Sequence, residues 1–263
     1  RRSGGSELMV GVAVTGAAGR MGREVLAAAA DRDAVDVVFA VNRSPVEEPV
    51  AGVEVESSDA FAALVADHEP DVVVDFTGPE SAVGYADTCA DHGVALVTGT
   101  TGFDEDGLAA LQGASESTAV LKASNFSRGV AALRLAVQEA TAALPDADIE
   151  LTETHHNAKR DAPSGTAKTL LDDIQDVRED ITERVHGREG EAPRSDDEIG
   201  VHARRAGDIA GEHEVLLGGS NETLSLTHRA GDRSIFADGA LDAAVWLAGQ
   251  EAGWYDFFEV IEG

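Results

Sequence analysis

Basic residues are scarce in this sequence, and lysine is the scarcest of them. The 263 residues include 20 Lys and Arg against 49 Asp and Glu, a formal net charge of −29, and only three of the 20 are lysines. Nucleic-acid phosphates require a basic surface, so this charge argues against a nucleic-acid partner. The acids are spread along a chain with regular Val, Leu and Ala periodicity, which disordered acidic proteins lack. We therefore predict a folded, halophilic protein whose self-repulsion is screened by concentrated salt.

Cysteine is nearly absent, and long apolar runs are missing. The single Cys89 excludes an intrachain disulfide, and because no catalytic motif surrounds it we interpret it as a packing residue. No apolar run approaches the roughly 20 residues that span a bilayer, so no membrane association is predicted. Residues 1–6 are polar and glycine-rich, and we interpret them as a disordered or appended tail. A cytoplasmic location is the resulting expectation.

The first half of the chain alternates short Val-rich runs with amphipathic segments, the pattern of parallel βαβ units. The runs are nearly continuous in apolar residues, as strands covered on both faces are. The predicted strands are 9–15, 35–41, 72–76, 95–98 and 119–123. The predicted helices between them are 21–31, 58–68, 81–92 and 104–113. This pattern predicts an α/β fold with a Rossmann-like, doubly wound parallel sheet.

The pattern changes near Asn125 and indicates a second, smaller α+β domain. The predicted helices are 128–143 and 164–175, and the predicted strands are 147–155, 199–204, 212–217 and 222–229. The turn signal Gly218-Gly219-Ser220-Asn221 predicts that the last two strands form a hairpin. The acidic stretch 176–197 carries no clear pattern. A final helix is predicted over about 234–250. We predict one domain at 7–126, joined by a helical C-terminal segment 236–263, and another at 127–235.

A glycine-rich loop follows the first predicted strand and precedes a helix. Its three glycines have the spacing G-x-x-G-x-x-G, and glycine permits both a tight turn and close approach of the backbone to a pyrophosphate. The helix N-terminus supplies N–H groups, and Arg20 adds a positive charge. The motif alone is weak, but its position between strand and helix predicts a dinucleotide site. The predicted residues are Gly16, Ala17, Ala18, Gly19, Arg20 and Met21. The alternative is a glycine-rich turn without a ligand.

The end of the second predicted strand bears on the choice of cofactor. A carboxylate at this position usually holds the ribose 2′-hydroxyl of NAD. This chain has Asn42, Arg43 and Ser44 there, without an acid. A neutral amide, a cation and a hydroxyl suit a 2′-phosphate, so NADPH is the predicted cofactor, with NADH possible. The alternative is that Arg43 is only a solvated surface charge.

Two more loops follow strands of the same predicted sheet. Ligands of doubly wound sheets lie at the carboxyl ends of the strands, so we predict that both loops contact the nicotinamide and its ribose. The predicted residues are Gly99, Thr100 and Thr101 in one loop and Ala123, Ser124, Asn125 and Phe126 in the other. As isolated tetrapeptides, the two segments could equally be turns.

The run 153–167 concentrates positive charge in an otherwise acidic chain. Two histidines and one of the three lysines fall within five residues, at His155, His156 and Lys159. Ser164 is a suitable N-cap, and the backbone N–H groups of Gly165 and Thr166 at the start of the next helix can receive a carboxylate. A cationic loop beside a helix N-terminus predicts a small-molecule dicarboxylate as the ligand.

Two other interpretations of this run remain open from the residues alone. His155 could be a structural histidine at the end of a strand. A metal site with His155, His156 and Asp161 as ligands is conceivable, but the spacing matches no common zinc pattern and no cysteine assists. We therefore predict no metal.

The chain resembles the dihydrodipicolinate reductase (4-hydroxy-tetrahydrodipicolinate reductase) family in the run His155-His156-x-x-Lys159-x-Asp161-Ala162-Pro163-Ser164-Gly165-Thr166-Ala167. This motif is highly specific. Supporting matches follow the expected order at 16–22, 75–77, 99–102, 123–130, 205–208, 211–213 and 236–240. The resemblance implies an NAD(P)H-dependent reductase on the diaminopimelate route to lysine. Its substrate would be 4-hydroxy-tetrahydrodipicolinate, which loses water and is reduced to tetrahydrodipicolinate.

The resemblance also implies roles for residues. His155 is expected to act as a general acid, and Lys159 as a second proton donor or charge-stabilising group. The substrate carboxylate is expected to bind His156, Gly165 and Thr166. The smaller domain would bind substrate and assemble a homotetramer, and closure of the two domains would exclude water. Many members of the family carry an acid where this chain has Asn42, which puts the use of NADH in doubt but not the reaction.

Two other functions would retain the glycine loop. Another two-domain NADP oxidoreductase, such as a semialdehyde dehydrogenase, would need a nucleophilic cysteine, and Cys89 lacks the setting for one. A non-catalytic NADPH-binding sensor would have no need of His155 and Lys159 beside a carboxylate receptor.

Overall fold

The computed structural model describes residues 9–263, so the interpretation of residues 1–6 as a tail lies outside the described residues. The chain divides into two compact units. The first comprises the chain up to Ser127 together with Arg233–Gly263, and the second is Arg128–Asp232. Within the described residues, every helix is too short or too polar to cross a membrane.

The first unit is built on a seven-stranded parallel sheet. Its strands are β1 Val10–Thr15, β2 Val35–Asn42, β3 Val55–Ser57, β4 Val72–Asp75, β5 Ala95–Thr98, β6 Ala119–Lys122 and, from the C-terminal segment, β12 Gly253–Tyr255. Their order across the sheet is β12-β6-β5-β4-β1-β2-β3, so the direction of winding reverses between β1 and β4. The predicted Rossmann-like sheet is confirmed, and ligands of such sheets bind at this switch point.

The helices of the first unit are α1 Arg20–Ala30, α2 Phe61–His68, α3 Pro79–His92, α4 Glu105–Ser115, α7 Ser234–Leu247 and α8 Phe257–Glu262. Local sequence explains several of their ends. Proline is favoured at the first position of a helix, where α3 has Pro79, and Gly93 ends α3 with φ of +66°. Asp104 caps α4 by accepting a hydrogen bond from the N–H of Gly107.

Cys89 lies in the core of the first unit. Its side chain is fully buried in a cluster with Phe39, Phe61, Leu96 and Leu111. Burial raises the pKa of the thiol far above its ordinary value, with the charge of Asp75 adding to the effect. A thiol that does not ionise is a poor nucleophile, so the interpretation as a packing residue is confirmed.

The final helix predicted over about 234–250 is confirmed as α7, but the prediction that the whole segment 236–263 is helical was wrong. Helix α7 ends at Leu247, after which the chain forms β12, paired with β6, and then α8. Asp256 starts α8 with a capping box that includes Glu259. The strand has three residues and the helix six, which is too short for a hydrophobic period to be visible.

The second unit contains a five-stranded mixed sheet in the order β11-β10-β7-β9-β8. Its strands are β7 Asp148–His155, β8 Glu183–His186, β9 Glu198–Arg205, β10 Glu212–Gly218 and β11 Thr223–Arg229. The predicted hairpin of the last two strands is confirmed. Helices α5 Arg128–Ala143 and α6 Gly165–Val177 cover one face, where they bury Ile149 and Leu151 of β7. Strand β8 was not predicted from the sequence, because it lies within the acidic stretch 176–197, which has no clear pattern.

Candidate active site

The glycine loop makes a tight turn from β1 into α1. Gly16 adopts φ of +67°, a left-handed conformation that favours glycine, and the N–H of Gly19 donates to its carbonyl at 2.8 Å. A Cβ at Gly22 would overlap the carbonyl oxygen of Gly16, so the helix sits directly on the turn. Gly19 provides no side-chain cap for α1. The first turn of α1 can therefore direct its N–H groups at an anion.

A cavity of about 420 Å³ lies beside this turn. It is lined by Gly16 and Gly19 of the loop and by Asn42, Arg43 and Ser44 at the end of β2. The rest of its lining comes from 76–81 and Tyr85. The structure therefore brings four of the predicted cofactor residues around one space. The missing Cβ atoms of the loop and the cation at Arg43 fit a dinucleotide with a negatively charged phosphate.

Asn42 links the two parts of this cavity. Its side-chain oxygen accepts a hydrogen bond from the N–H of Ala18 at 3.4 Å, and its side-chain nitrogen donates to the carbonyl of Ser44 at 2.9 Å. The N–H of Ala17 also donates to the carbonyl of Val41 at 3.1 Å. The end of β2 is thus fastened to the glycine turn, with the Arg43 side chain left exposed.

The other predicted cofactor residues lie elsewhere in the first unit. Arg20 and Met21 are the first residues of α1, and Arg20 is exposed. Two predicted loops, 99–101 and 123–126, do not contribute to the lining of the 420 Å³ cavity among the described residues. They converge instead on Phe76, because the Phe126 ring contacts the Phe76 ring at 5.7 Å and a Cβ at Gly99 would overlap it.

The buried carboxylate of Asp75 connects the ends of β1, β4 and β5, and sequence analysis gave it no role. Asp75, at the end of β4, has no solvent exposure. It accepts hydrogen bonds at 2.6–2.7 Å from the hydroxyls of Thr15, Thr77, Thr98 and Thr100. The hydroxyl of Thr100 also accepts from the N–H of Thr77 at 3.1 Å. Since β1, β4 and β5 are neighbours, Asp75 fixes the loops at the switch point.

In the second unit, the corresponding buried carboxylate is Glu153. Arg205 holds it with two parallel hydrogen bonds of 2.8 and 2.7 Å, and Nδ1 of His155 lies 2.6 Å from Oε2. The N–H of Ser164 donates to Oε1 at 3.2 Å. Burial by itself would raise the pKa of Glu153, but the hydrogen bonds from Arg205 and His155 reverse this and lower it. Glu153 is therefore a carboxylate anion at neutral pH.

His155 is buried at the end of β7. Burial lowers the pKa of its imidazole, and the hydrogen bond to Glu153 opposes this effect without overcoming it. An ionised Glu153 can only accept, so Nδ1 of His155 carries a proton. Nε2 lies on the Gly211 side of the ring, where a Cβ at Gly211 would be 3.1 Å away.

A second buried histidine adjoins the first. The His213 ring meets the His155 ring edge to face at 5.2 Å, and its Nε2 lies 2.9 Å from the hydroxyl of Ser164. That hydroxyl also accepts from the N–H of Ala167, so the predicted N-cap of α6 is confirmed. Burial lowers the pKa of His213 to about 4, and His155 adds to the effect. His213 is therefore neutral at pH 7.

The cationic loop follows β7 directly. Lys159 forms an ion pair of 2.9 Å with Asp161, and this hydrogen bond lowers the pKa of the Asp161 carboxyl. The N–H of Lys159 donates to the carbonyl of His156 at 3.2 Å, which closes a turn. The positive charge of Lys159 contributes to the lowered pKa of His155, so the two groups are electrostatically coupled.

The predicted carboxylate receptor adjoins this loop. Gly165 and Thr166 are the first two residues of α6, with Gly165 exposed and Thr166 half-buried. His156 is also half-buried. The structure thus gathers the five predicted residues of the second unit around the end of β7 and the start of α6. Sequence analysis assigned no role to Glu153, Arg205 or His213. They could have been noticed only because they lie within the run 153–167 or the family matches at 205–208 and 211–213.

Comparison with known proteins bears on both units. The family model described as dihydrodipicolinate reductase, N-terminus, matches residues 10–126, and the one described as dihydrodipicolinate reductase, C-terminus, matches residues 129–261. The chain belongs to the dihydrodipicolinate reductase family. The prediction of this family from the sequence is confirmed.

Relatives agree along the whole chain. The 4-hydroxy-tetrahydrodipicolinate reductase of Natronomonas pharaonis is 55% identical and covers 95% of this chain and 99% of its own. That of Haloarcula marismortui is 54% identical and covers 97% and 100%. Both organisms are halophilic archaea, in agreement with the predicted halophilic character.

A solved structure extends the similarity to the fold. The dipicolinate-bound dihydrodipicolinate reductase from Paenisporosarcina sp. TG-14 matches with a TM-score of 0.79 at 25% identity. The match covers 95% of this chain and 98% of the other. These comparisons do not favour the alternatives of a non-catalytic sensor or a semialdehyde dehydrogenase. The buried Cys89 could not serve as the nucleophile that a semialdehyde dehydrogenase needs.

Proposed function

We propose that this chain catalyses the NADPH-dependent reduction of 4-hydroxy-tetrahydrodipicolinate, with loss of water, to tetrahydrodipicolinate on the diaminopimelate route to lysine. The names of its relatives support the reaction. The observation in this chain that carries the proposal is the buried pair of His155 and Glu153 beside a cationic loop and a helix N-terminus. After water is lost, the ring must gain one hydride and one proton.

The second unit would bind the ring and supply the proton. His155, as imidazolium, would give its Nε2 proton to the ring carbon that becomes electron-rich, and would return to the neutral Nδ1–H form. Lys159 would stabilise the developing negative charge or donate a second proton. His156 and the backbone N–H groups of Gly165 and Thr166 would receive substrate carboxylate. Two separate anion receptors suit a ligand with two carboxylates.

The first unit would bind the cofactor, which supplies the hydride. The loop 16–21 would receive the pyrophosphate, and the loops 99–101 and 123–126 would contact the nicotinamide and its ribose. The exposed Arg43 and the neutral Asn42 at one cavity wall support a 2′-phosphate, because a guanidinium pairs well with phosphate and an amide does not repel it. We infer a preference for NADPH over NADH.

The reaction is tested by coupling the chain to a synthase that forms the substrate and following the loss of NADPH absorbance in molar salt. His155→Gln and Lys159→Ala should each reduce turnover by about 10² or more, the usual contribution of acid–base groups. Tight binding of NADPH should persist in both variants, because neither residue belongs to the first unit.

Matched controls come from the same residue types. Lys168 is exposed on α6 and His92 is exposed at the end of α3, so Lys168→Ala and His92→Gln should retain wild-type turnover. A wild-type chain that binds NADPH but never oxidises it in the coupled assay would refute the proposed reaction. Full turnover in the double variant of His155 and Lys159 would refute their roles.

We also infer a homotetramer assembled through the sheet of the second unit. Both helices of this unit pack on one face of the sheet, and within Arg128–Asp232 no other helix is available to cover the opposite face. A second copy of the sheet would cover it. Light scattering in molar salt measures the assembly directly, and the mass of a single chain would contradict it.

A further inference from the structure

Glu153 is fully enclosed by hydrogen-bond donors of the protein itself. It has no solvent exposure, and both carboxylate oxygens are occupied by donors from β7, β9 and the start of α6. A group so enclosed cannot contact a substrate. A buried charge is costly unless it is paired. Glu153 can therefore affect a bound ligand only through the residues to which it is hydrogen-bonded.

We propose that Glu153 is a positioning residue for the proton donor of the proposed reaction: its ionised carboxylate, clamped by Arg205, holds His155 as the Nδ1–H form and so makes Nε2 the nitrogen that exchanges the proton. The inference rests on the proposed function for the role of His155. It adds which nitrogen acts and which residues select it.

The hydrogen bonds determine the tautomer. A carboxylate accepts only, so at 2.6 Å from Glu153 the Nδ1 atom of His155 must be the donor in both charge states of the ring. When the imidazolium gives up a proton, that proton leaves from Nε2 and Nδ1–H remains on Glu153. The ring is therefore in the same orientation before and after transfer, and the site needs no ring flip to be recharged.

Arg205 keeps Glu153 in the accepting state. The two parallel hydrogen bonds between them are 2.8 and 2.7 Å long, and Arg205 also donates to the carbonyl of Asp161 at 2.6 Å. The fork fixes the plane of the carboxylate as well as its charge. Arg205 thereby also joins β9 to the loop that carries Lys159.

The charges around His155 act in opposite directions. Glu153 on its own strand favours the imidazolium, whereas the positive charges of Lys159 in the loop and Arg205 on β9 oppose it. His213 on β10 meets the ring edge to face, and its low pKa keeps it neutral. Glu153 is thus the one group in this set that favours protonation, and its hydrogen bond and its charge both oppose the effect of burial without overcoming it.

The test is Glu153→Gln, which keeps the shape and an accepting oxygen but removes the charge. Loss of an opposite charge at this distance should lower the pKa of His155 by about one unit or more. General-acid catalysis requires the protonated ring, so the limb of kcat/KM that falls with rising pH should move to lower pH by the same amount. At pH 7 we expect a loss of about tenfold or more that is recovered on acidification.

The matched control is Asp173→Asn. Asp173 is also a buried carboxylate held by an arginine fork, with bonds of 2.6 and 2.8 Å from Arg134, but its further side-chain donor is Gln138 where Glu153 has a histidine. It should lose stability as Glu153→Gln does, without moving the pH profile. Glu153→Asp retains the charge and should restore part of the wild-type profile if the glutamine variant folds poorly.

Nuclear magnetic resonance of histidine-labelled protein separates this inference from the proposed function. In the wild type without substrate, His155 should be the Nδ1–H tautomer when neutral, and its pKa should fall in Glu153→Gln. An unchanged pKa and tautomer in that variant would overturn the inference even if the enzyme is active. A shifted pKa in a protein that catalyses nothing would reject the function and the role of His155 as proton donor, and would leave only the selection of the Nδ1–H tautomer by Glu153.

Discussion

A single guanidinium at the end of β2 should decide which cofactor binds. Arg43→Ala removes the proposed charged partner of the 2′-phosphate, so the Kd for NADPH should rise by about tenfold, in line with the 1.5–3 kcal/mol of a charged hydrogen bond reduced by exposure. The Kd for NADH, which lacks that phosphate, should stay the same. Fluorescence titration of both cofactors measures the two constants.

Asn42 provides the complementary variant at the same site. Asn42→Asp places a carboxylate where it repels the 2′-phosphate and can accept from a ribose hydroxyl, so NADH should gain relative to NADPH. Equal affinities of Arg43→Ala and wild type for NADPH would show that Arg43 is a solvated surface charge, and the inferred preference would then have no basis.

Functional residues that lie close together in the sequence were predictable. Residues whose hydrogen-bond partners lie far away in the sequence were not. His155, Lys159 and Ser164 fall within one run, so their types and spacing sufficed to predict that they lie together and that Ser164 caps α6. Glu153 pairs with Arg205, which is 52 positions away in the sequence. Glu153 looks like any polar residue of a strand, and no sequence pattern links it to that arginine. Asp75 likewise depends on threonines that end two other strands, which become neighbours only in the folded sheet.

Among the elements, the junction of β1 and α1 has little tolerance for added atoms. Gly22→Ala would place a methyl group on the carbonyl of Gly16, so the helix start must move away from the turn. We expect a lower melting temperature and an NADPH affinity weakened by about tenfold or more, since strain of this kind costs 1–3 kcal/mol. Calorimetry and cofactor titration measure the two effects.

Helix-interior glycines without neighbours supply the control. A Cβ at Gly84 in α3 or at Gly113 in α4 would meet no atom within 4 Å. Both alanine variants should gain about 0.5–1 kcal/mol, because alanine is the better helix former. If Gly22→Ala also stabilised the protein with full NADPH affinity, the close contact of helix and turn would not matter for binding.

Burial and position in the sheet determined which strands were predictable. Strands β1, β4, β5 and β6 are mostly apolar and mostly buried, and β2 is buried over its second half. Helices α1 and α6 have the clearest helical periods. Strands β3, β8 and β12 have three or four residues each. They sit at or near sheet edges and exist because a neighbouring strand offers backbone partners. Such pairing leaves no hydrophobic pattern in the sequence.

At the scale of the whole molecule, the net charge of −29 should make stability depend on salt. Added ions shorten the range of repulsion between the acids, to about 3 Å at 1 M. The melting temperature should rise by on the order of 10 °C between 0.1 and 2 M KCl, which corresponds to a few kcal/mol for a chain of this size. Circular dichroism at increasing salt measures it.

Sucrose distinguishes screening from general stabilisation. It is excluded from protein surfaces and favours compact states, but it does not screen charge. At matched osmolality it should raise the melting temperature much less than KCl does. A melting temperature that does not change with KCl would remove the halophilic interpretation of the composition.

The division of the chain has a consequence for its synthesis. Helix α7, strand β12 and helix α8 belong to the first unit but are translated after the whole of Arg128–Asp232. The unit whose strands emerge first from the ribosome must therefore wait with one edge of β6 unpaired until the inserted unit has been translated. The nucleotide-binding unit begins first and is completed last, so a chain that ends at Asp232 would contain the whole inserted unit but lack α7, β12 and α8 of the first.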